Sequence, residues 1–230
     1  MGDLVTALSQ AISWLFTGHR EVYDIIWVSV KVVMIATLLA TLLGVPVGVG
    51  IASNQFYGKR LVVAIFNTLL SMPTVVVGLT VYAFLSRRGP LGELGLLFTP
   101  WAVIIGDVIL AFPIVVAFSI AAVQGIDPRI RETALSLGAG STRVVWTVLG
   151  EARLAICAAV VAAFGRIIAE VGAAAMLGGN IRGYTRTITT AMALETSKGE
   201  FTLGLALGIV LLIIAFIVNT TLYFLQGKTS

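Results

Sequence analysis

The sequence predicts an all-α integral membrane protein with five transmembrane helices, a short N-terminal interfacial helix and a helical loop between spans three and four. Hydrophobic residues make up 58% of the 230 residues, and charged residues make up only 11%. The mean hydropathy is +1.03. Because a soluble domain carries charge on about a quarter of its residues, this composition excludes a water-soluble fold. The chain is expected to form a single membrane domain over residues 1–230.

Each predicted span is a long apolar stretch, since a helix needs about 20 residues to cross the bilayer. The five spans are expected at 25–52, 61–85, 101–123, 152–174 and 203–226. Two of them contain glycines four positions apart, in "GVPVG" (44–48) and "GLALG" (204–208). This spacing lets helix backbones approach closely in lipid, so it predicts tight helix packing.

The N-terminal segment 3–17 is amphipathic but too short to span a membrane. Its apolar residues fall on one helical face: Leu4, Leu8, Ile12, Leu15 and Phe16. That pattern predicts a helix lying in the membrane interface. No internal repeat is evident in the chain, which disfavours a transporter built from two inverted halves.

The polar loop at 124–151 has helix start and stop signals of its own. Asp127 followed by Pro128 is a good helix start, and Gly138 is a good helix end. Ser141 could begin a second short helix, and the residues between the two helices are small. A docking surface and a solvated helical hairpin explain this loop equally well.

Two prolines, Pro73 and Pro113, are expected near the bilayer centre, each roughly 18 Å from the start of its span at 1.5 Å per residue. Each removes a backbone donor and tends to kink its helix. Paired kinks suit a constriction in a pathway, with Met72 and Thr74 flanking the first one. Kinks that serve only packing remain an equal alternative.

Four ionisable residues fall within the predicted spans: Lys31, Asp107, Arg166 and Glu170. Charges are costly in lipid and mark functional candidates. Arg166 and Glu170 lie four positions apart and can pair along one helix. Lys31 and Asp107 are expected at similar depth and could pair across helices. We expect a charge-balanced cluster, with structural pairing favoured over direct contact with a substrate.

The segment "GGNIRGYTR" (178–186) combines turn-forming glycines with hydrogen-bond donors. Asn180, Arg182 and Arg186 could donate to the oxygens of an oxyanion. A flexible surface loop is the competing interpretation.

The motifs of common enzyme classes are missing from the sequence. The P-loop, H-E-x-x-H and G-x-S-x-G patterns do not occur, and Cys157 is the only cysteine. We therefore expect a protein that is not an enzyme, that binds no cofactor or metal of its own, and that draws any energy it uses from elsewhere.

The segment "ETALSLGAG" (132–140), placed between two spans, resembles the EAA loop of ABC importer permeases. Glu132, Thr133, Ala134, Leu137, Gly138 and Ala139 occupy the motif positions. Thr133 replaces the first alanine, and "VLGEAR" stands where many members have a Leu-Pro pair. The resemblance implies a cytoplasmic coupling helix that inserts into a groove of a separate ATPase subunit.

Two further stretches, 72–92 and 165–201, resemble permeases for molybdate and tungstate, and the second is most like the tungstate branch. The resemblance implies a homodimer in the cell membrane, two copies of an ATPase that uses ATP and Mg, and an extracytoplasmic tungstate-binding protein. It implies an outer gate near 178–186. No nucleic-acid partner is expected. A molybdate or sulfate permease is the nearest alternative, and an ATP-independent oligomeric channel is the alternative from another class.

If the coupling loop is cytoplasmic, the N-terminus lies outside and the C-terminus inside. The distribution of basic residues does not determine this orientation, although such residues usually favour the cytoplasmic side. Seven would lie inside and six outside: Lys59, Arg60, Arg129, Arg131, Arg143, Arg153 and Lys228, against Arg20, Arg87, Arg88, Arg182, Arg186 and Lys198.

Overall fold

The computed structural model describes residues 9, 12–14 and 20–227, and its regular structure is helical. The helices are α1 (Arg20–Ser53), α2 (Lys59–Leu69), α3 (Thr74–Leu85), α4 (Pro100–Gln124), α5 (Pro128–Ser136), α6 (Ser141–Ile168), α7 (Gly172–Gly178), α8 (Ile188–Lys198) and α9 (Phe201–Gly227), with a 3-10 turn at Gly92–Leu94. Of the predicted interfacial helix over 3–17, residues 9 and 12–14 are helical. The rest of that segment lies outside the described residues.

The predicted all-α membrane fold class is confirmed, with four clear spans in the described residues and a fifth if one bent helix pair counts as a single span. In the described part of the chain, α1, α4, α6 and α9 are each long and apolar enough to cross a membrane. The bent pair is α2 with α3, which meet at 96° and form either a broken span or a re-entrant loop. The sequence predicted one continuous helix over 61–85. The break falls at residues 70–73 because Pro73 has no backbone N–H and disfavours helical geometry at the residue before it.

The polar loop between spans three and four contains one helix of its own, α5. The second short helix expected from Ser141 is instead the first part of α6, which continues to Ile168. Gly140 occupies the N-cap position, with no side-chain cap. The elbow, residues 125–140, is therefore joined directly to a membrane span.

Helix α4 forms the centre of the molecule, and 72% of its most apolar stretch is buried. It is apolar on all sides, as expected of a helix surrounded by others. Gly44 and Gly48 of α1 pack against Val115 and Ser119 of α4, so the two helices run parallel. The main core cluster joins them to residues of α3, α6 and α7.

A second, smaller core holds α8 and α9 against the start of α1. It contains Val22 and Ile25 of α1, Ile188 of α8 and Leu207 of α9. The Ser29 hydroxyl accepts a hydrogen bond from the Ile188 amide at 2.7 Å, which fixes the start of α8 on α1. We call this end of the molecule, with residues 86–99 and 169–200, the far end, because it lies opposite the elbow.

Candidate coupling elbow, bend and charge cluster

The first candidate site is the elbow, which is built by local hydrogen bonds. The Asp127 side chain caps α5 by accepting from the Arg129 amide at 2.9 Å. At the other end, the Ala139 amide donates to the Ala134 carbonyl at 3.0 Å, and the Gly138 amide to the Leu135 carbonyl at 2.9 Å. This paired closure needs a left-handed residue, and Gly138 supplies it with φ of +80°.

The surface of the elbow exposes apolar side chains among polar ones. Leu135 is 51% exposed and Leu137 is 82% exposed. A shallow groove of about 540 Å³ runs between α5 and the start of α6. The motif residues Thr133, Ala134, Leu137 and Ala139 are among those that line it. Exposed apolar residues beside such a groove suit contact with another protein surface.

The second candidate site is the bend between α2 and α3, where Met72, Pro73 and Thr74 lie together. A Cβ atom placed on Gly172 would lie 3.5 Å from both the Thr74 hydroxyl oxygen and Glu170 Oε1. The start of α3 and the Glu170 carboxylate therefore both lie close to Gly172. Pro113 is buried in α4, which remains one helix from Pro100 to Gln124. The structure thus brings the predicted gate residue Thr74 to the charge cluster, while Pro113 interrupts no helix.

The charge cluster contains three of the four predicted residues. Arg166 Nη1 lies 3.0 Å from Glu170 Oε2, forming the predicted pair. Asp107 is 2% exposed and interacts electrostatically with both of them. Its Oδ1 has no hydrogen-bond partner in the described part of the chain.

Lys31 does not complete the cluster as predicted. It is exposed on α1, and no ion pair within the described ranges includes it. The register set by Gly44 opposite Val115 and Gly48 opposite Ser119 places Asp107 level with Ala36. Lys31 lies five positions earlier, roughly 7.5 Å along the axis, and on another face of α1.

Glu170 connects three helices. Its side chain accepts from Arg166 of α6 and, through Oε1, from the Ala173 amide of α7 at 3.1 Å. Its backbone carbonyl accepts a hydrogen bond from the Thr189 hydroxyl of α8. The carboxylate is therefore fixed in position and buried.

The segment 178–186 is a hydrogen-bonded turn. The Ile181 carbonyl accepts from the amides of Tyr184, Thr185 and Arg186. The Asn180 amide group donates to the Thr190 carbonyl at 3.2 Å, and its oxygen accepts from the Thr190 hydroxyl at 3.1 Å. These contacts to α8 use the side-chain oxygen of Asn180 and one of the two N–H donors of its amide group, so one donor is left for an oxyanion.

Arg182 and Arg186 enter an ion-pair network that the sequence did not reveal. Arg182 Nε lies 3.0 Å from Glu21 Oε1, and Arg186 Nη1 lies 3.5 Å from the same oxygen. Arg186 Nη1 also lies 3.4 Å from Glu195 Oε1, which Lys198 Nζ approaches to 3.1 Å. The network joins the start of α1, the turn and α8. Of these pairs, only Glu195 and Lys198 lie three positions apart on one helix, a spacing from which a pair can be predicted.

A multi-pass helical bundle with an exposed helical elbow is the architecture of a membrane transport subunit. Residues 44–229 match the family model described as "Binding-protein-dependent transport system inner membrane component". The chain belongs to this family.

Two relatives are similar to the chain over most of its length. The tungstate uptake system permease protein TupB of Peptoclostridium acidaminophilum is 39% identical, over 95% of this chain and 96% of the relative. Its counterpart in Campylobacter jejuni is 44% identical, over 91% and 88%. A solved structure of the inward-facing methionine ABC transporter MetNI shares the fold, with a TM-score of 0.75 at 19% identity, over 95% of this chain and 98% of that one.

Proposed function

We propose that the chain is the membrane-spanning permease subunit of an ATP-driven importer for tungstate. The observation that carries the proposal is similarity along nearly the whole chain to two tungstate uptake permeases, at 39% and 44% identity. The exposed elbow supports it, because an ATP-driven permease without a nucleotide site of its own needs a surface on which an ATPase can dock. The chain performs no catalysis; ATP and Mg are used by that partner.

The working unit is a homodimer with the pathway along its two-fold axis. Two ATPase copies dock on the two elbows, and a tungstate-binding protein delivers the oxyanion at the far end. ATP binding draws the elbows together. Because only residues 137–140 separate α5 from α6, this motion passes along α6 to Arg166 and Glu170. Glu170 then carries it to α7 and α8 through the Ala173 amide and the Thr189 hydroxyl.

Molybdate is the nearest alternative cargo, since it matches tungstate in charge and nearly in size. An ATP-independent channel is the alternative from another class. The exposed Leu135 and Leu137 favour the importer, because a channel has no need of a cytoplasmic docking surface.

The test is uptake of tungstate into vesicles that contain this chain, its cognate ATPase and its binding protein. We expect uptake that requires all three proteins and ATP and that excess sulfate does not inhibit. Stronger competition by molybdate than by unlabelled tungstate would make molybdate the cargo. Flux without ATP would support the channel and contradict the proposal.

A further inference from the structure

We propose that Arg166 is a transient contact for the oxyanion in the pathway, and that Glu170 is the counter-ion that makes the anion leave. This inference rests on the proposed function, since it names residues through which the cargo of that transporter passes. It assigns the pair a role in transport in addition to its role in holding α6 and α7 together.

The first observation is the character of the surface around Arg166. The Arg166 side chain is 40% exposed. The other exposed residues near it are small: Ala162 and Gly165 of α6, and Ala169 at the C-cap of the helix. A Cβ atom added to Gly165 would meet nothing within 4 Å.

The exposed surfaces of other spans carry large apolar residues. Helix α1 exposes Leu42 and Leu43, and helix α9 exposes Phe216 and Ile217. A guanidinium facing hydrocarbon is costly, whereas one facing a water-filled cavity is not. The proposal therefore places the outer part of α6 against a water-filled space and not against the lipid.

The second observation is that the Arg166 guanidinium has N–H donors that make no hydrogen bond within the described residues. Arg166 uses Nη1 for its contact with Glu170. Nε and Nη2 have no hydrogen bond within the described residues. An arginine has five N–H donors in a fork that matches an oxyanion, so the free edge can bind two oxygens of a tetrahedral anion.

The third observation is that the counter-ion cannot move away. The Glu170 side chain is 4% exposed and is held by the Ala173 amide. Glu170 and Thr74 at the bend both lie close to Gly172, and Asp107 adds a second carboxyl group to the cluster. A dianion that approaches Arg166 therefore competes with a fixed carboxylate and is repelled by it. The arrangement favours brief contact over retention, which is what a pathway requires.

Binding of radiolabelled tungstate to the detergent-solubilised permease–ATPase complex, without binding protein, tests the two roles. Glu170→Gln keeps an acceptor for the Ala173 amide but removes the charge. We expect E170Q to bind tungstate about tenfold more tightly than wild type and R166Q to lose the binding, with R166K intermediate, as for loss or gain of one charge-assisted hydrogen bond. Arg153→Gln is the matched control, because Arg153 is exposed on the same helix. A purely structural pair would give E170Q and R166Q the same change, and that result would overturn the proposal.

Thiol labelling tests the surface independently of transport. With the exposed Cys157 replaced by serine, Ala169→Cys places a thiol next to Arg166 on the same face. We expect a water-soluble thiol reagent to label it in the assembled transporter, and tungstate to slow the labelling. Ile213→Cys on the apolar face of α9 should stay unlabelled. An unlabelled A169C would place this face in the dimer seam and refute the pathway contact.

Different results would contradict the Arg166 contact and the proposed importer function. If the wild-type transporter imports tungstate but E170Q, R166Q and R153Q all bind tungstate as wild type does, the contact is wrong and the proposed function stands. If the wild-type transporter imports none of tungstate, molybdate and sulfate, both are wrong.

Discussion

Arg182 and Arg186 share the Glu21 carboxylate but differ sharply in burial. The Arg186 side chain is 7% exposed, whereas that of Arg182 is 67% exposed. Arg186 also contacts the buried Glu195. Removing one partner of a buried pair leaves an uncompensated charge, whereas an exposed pair is screened by water.

We predict that Arg186→Gln destabilises the protein by about 2 kcal/mol, less than for an unpaired buried charge, because Glu195 loses its buried partner and keeps only the half-exposed Lys198. Arg182→Gln is the matched change on the same carboxylate and should cost less than about 1 kcal/mol. Thermal unfolding of the purified protein in detergent measures both. Equal losses would mean that the network acts as one exposed cluster, contrary to this assignment.

At the residue scale, local spacing predicted some contacts and missed others. Arg166 and Glu170 could be paired from the sequence because four positions bring two side chains together on one helix. The proposed partner of Asp107 was wrong because a cross-helix pair depends on the rotation of α1 against α4. Glu21 and Arg186 lie 165 positions apart, and no periodic pattern connects them.

At the element scale, helices α1 and α4 approach each other closely. A Cβ atom on Gly48 would lie 2.7 Å from the Ser119 Cβ and 2.8 Å from the Val116 carbonyl oxygen. On Gly50 of the same helix, it would meet nothing within 4 Å. The two glycines are therefore a matched pair of helix positions that differ in contact.

We predict that Gly48→Ala forces α1 and α4 apart and costs about 1–3 kcal/mol, the usual range for overpacking. Gly50→Ala should be neutral or stabilise by up to about 1 kcal/mol through helix propensity. The midpoints of thermal unfolding in detergent distinguish them. A G48A protein as stable as G50A would show that this crossing is looser than the structure indicates.

The elbow depends on one backbone conformation. We predict that Gly138→Val, which places a β-branched residue at φ of +80°, breaks the closure of α5 and abolishes co-purification of the ATPase. Membrane insertion should be retained, because the spans do not depend on this turn. Gly150→Ala, at an open helical position of α6, is the control and should keep the ATPase. Retention of the ATPase by G138V would remove the elbow from the docking surface.

The helices could be predicted from the sequence where a long apolar stretch marks a membrane span. Hydropathy located five spans, but it contains no information on direction, so the 96° bend between α2 and α3 was missed despite Pro73. The pair Gly44 and Gly48 indicated a close helix contact. The sequence pattern did not identify α4 as the partner helix, because many helices can pack against a surface of small residues.

At the scale of the whole molecule, five spans place the elbow and the far end on opposite sides of the membrane. The order of the spans determines this opposition but not which end faces the cytoplasm. Basic residues are nearly balanced between the two sides, so the charge rule that orients most membrane proteins does not apply with force here. The proposed function supplies an argument: ATP is cytoplasmic, so an elbow that docks an ATPase would have to lie on the cytoplasmic side.

We therefore predict that Arg88→Cys at the far end is labelled by an impermeant thiol reagent in intact cells, and that Gln55→Cys beside the elbow is labelled only after the membrane is opened. Both positions are exposed, and Cys157 is replaced by serine in both variants so that one thiol remains. The reverse pattern would place the elbow outside, where no ATPase could use it. Such a result would contradict the proposed importer, because an elbow outside the cell could not meet a cytoplasmic ATPase.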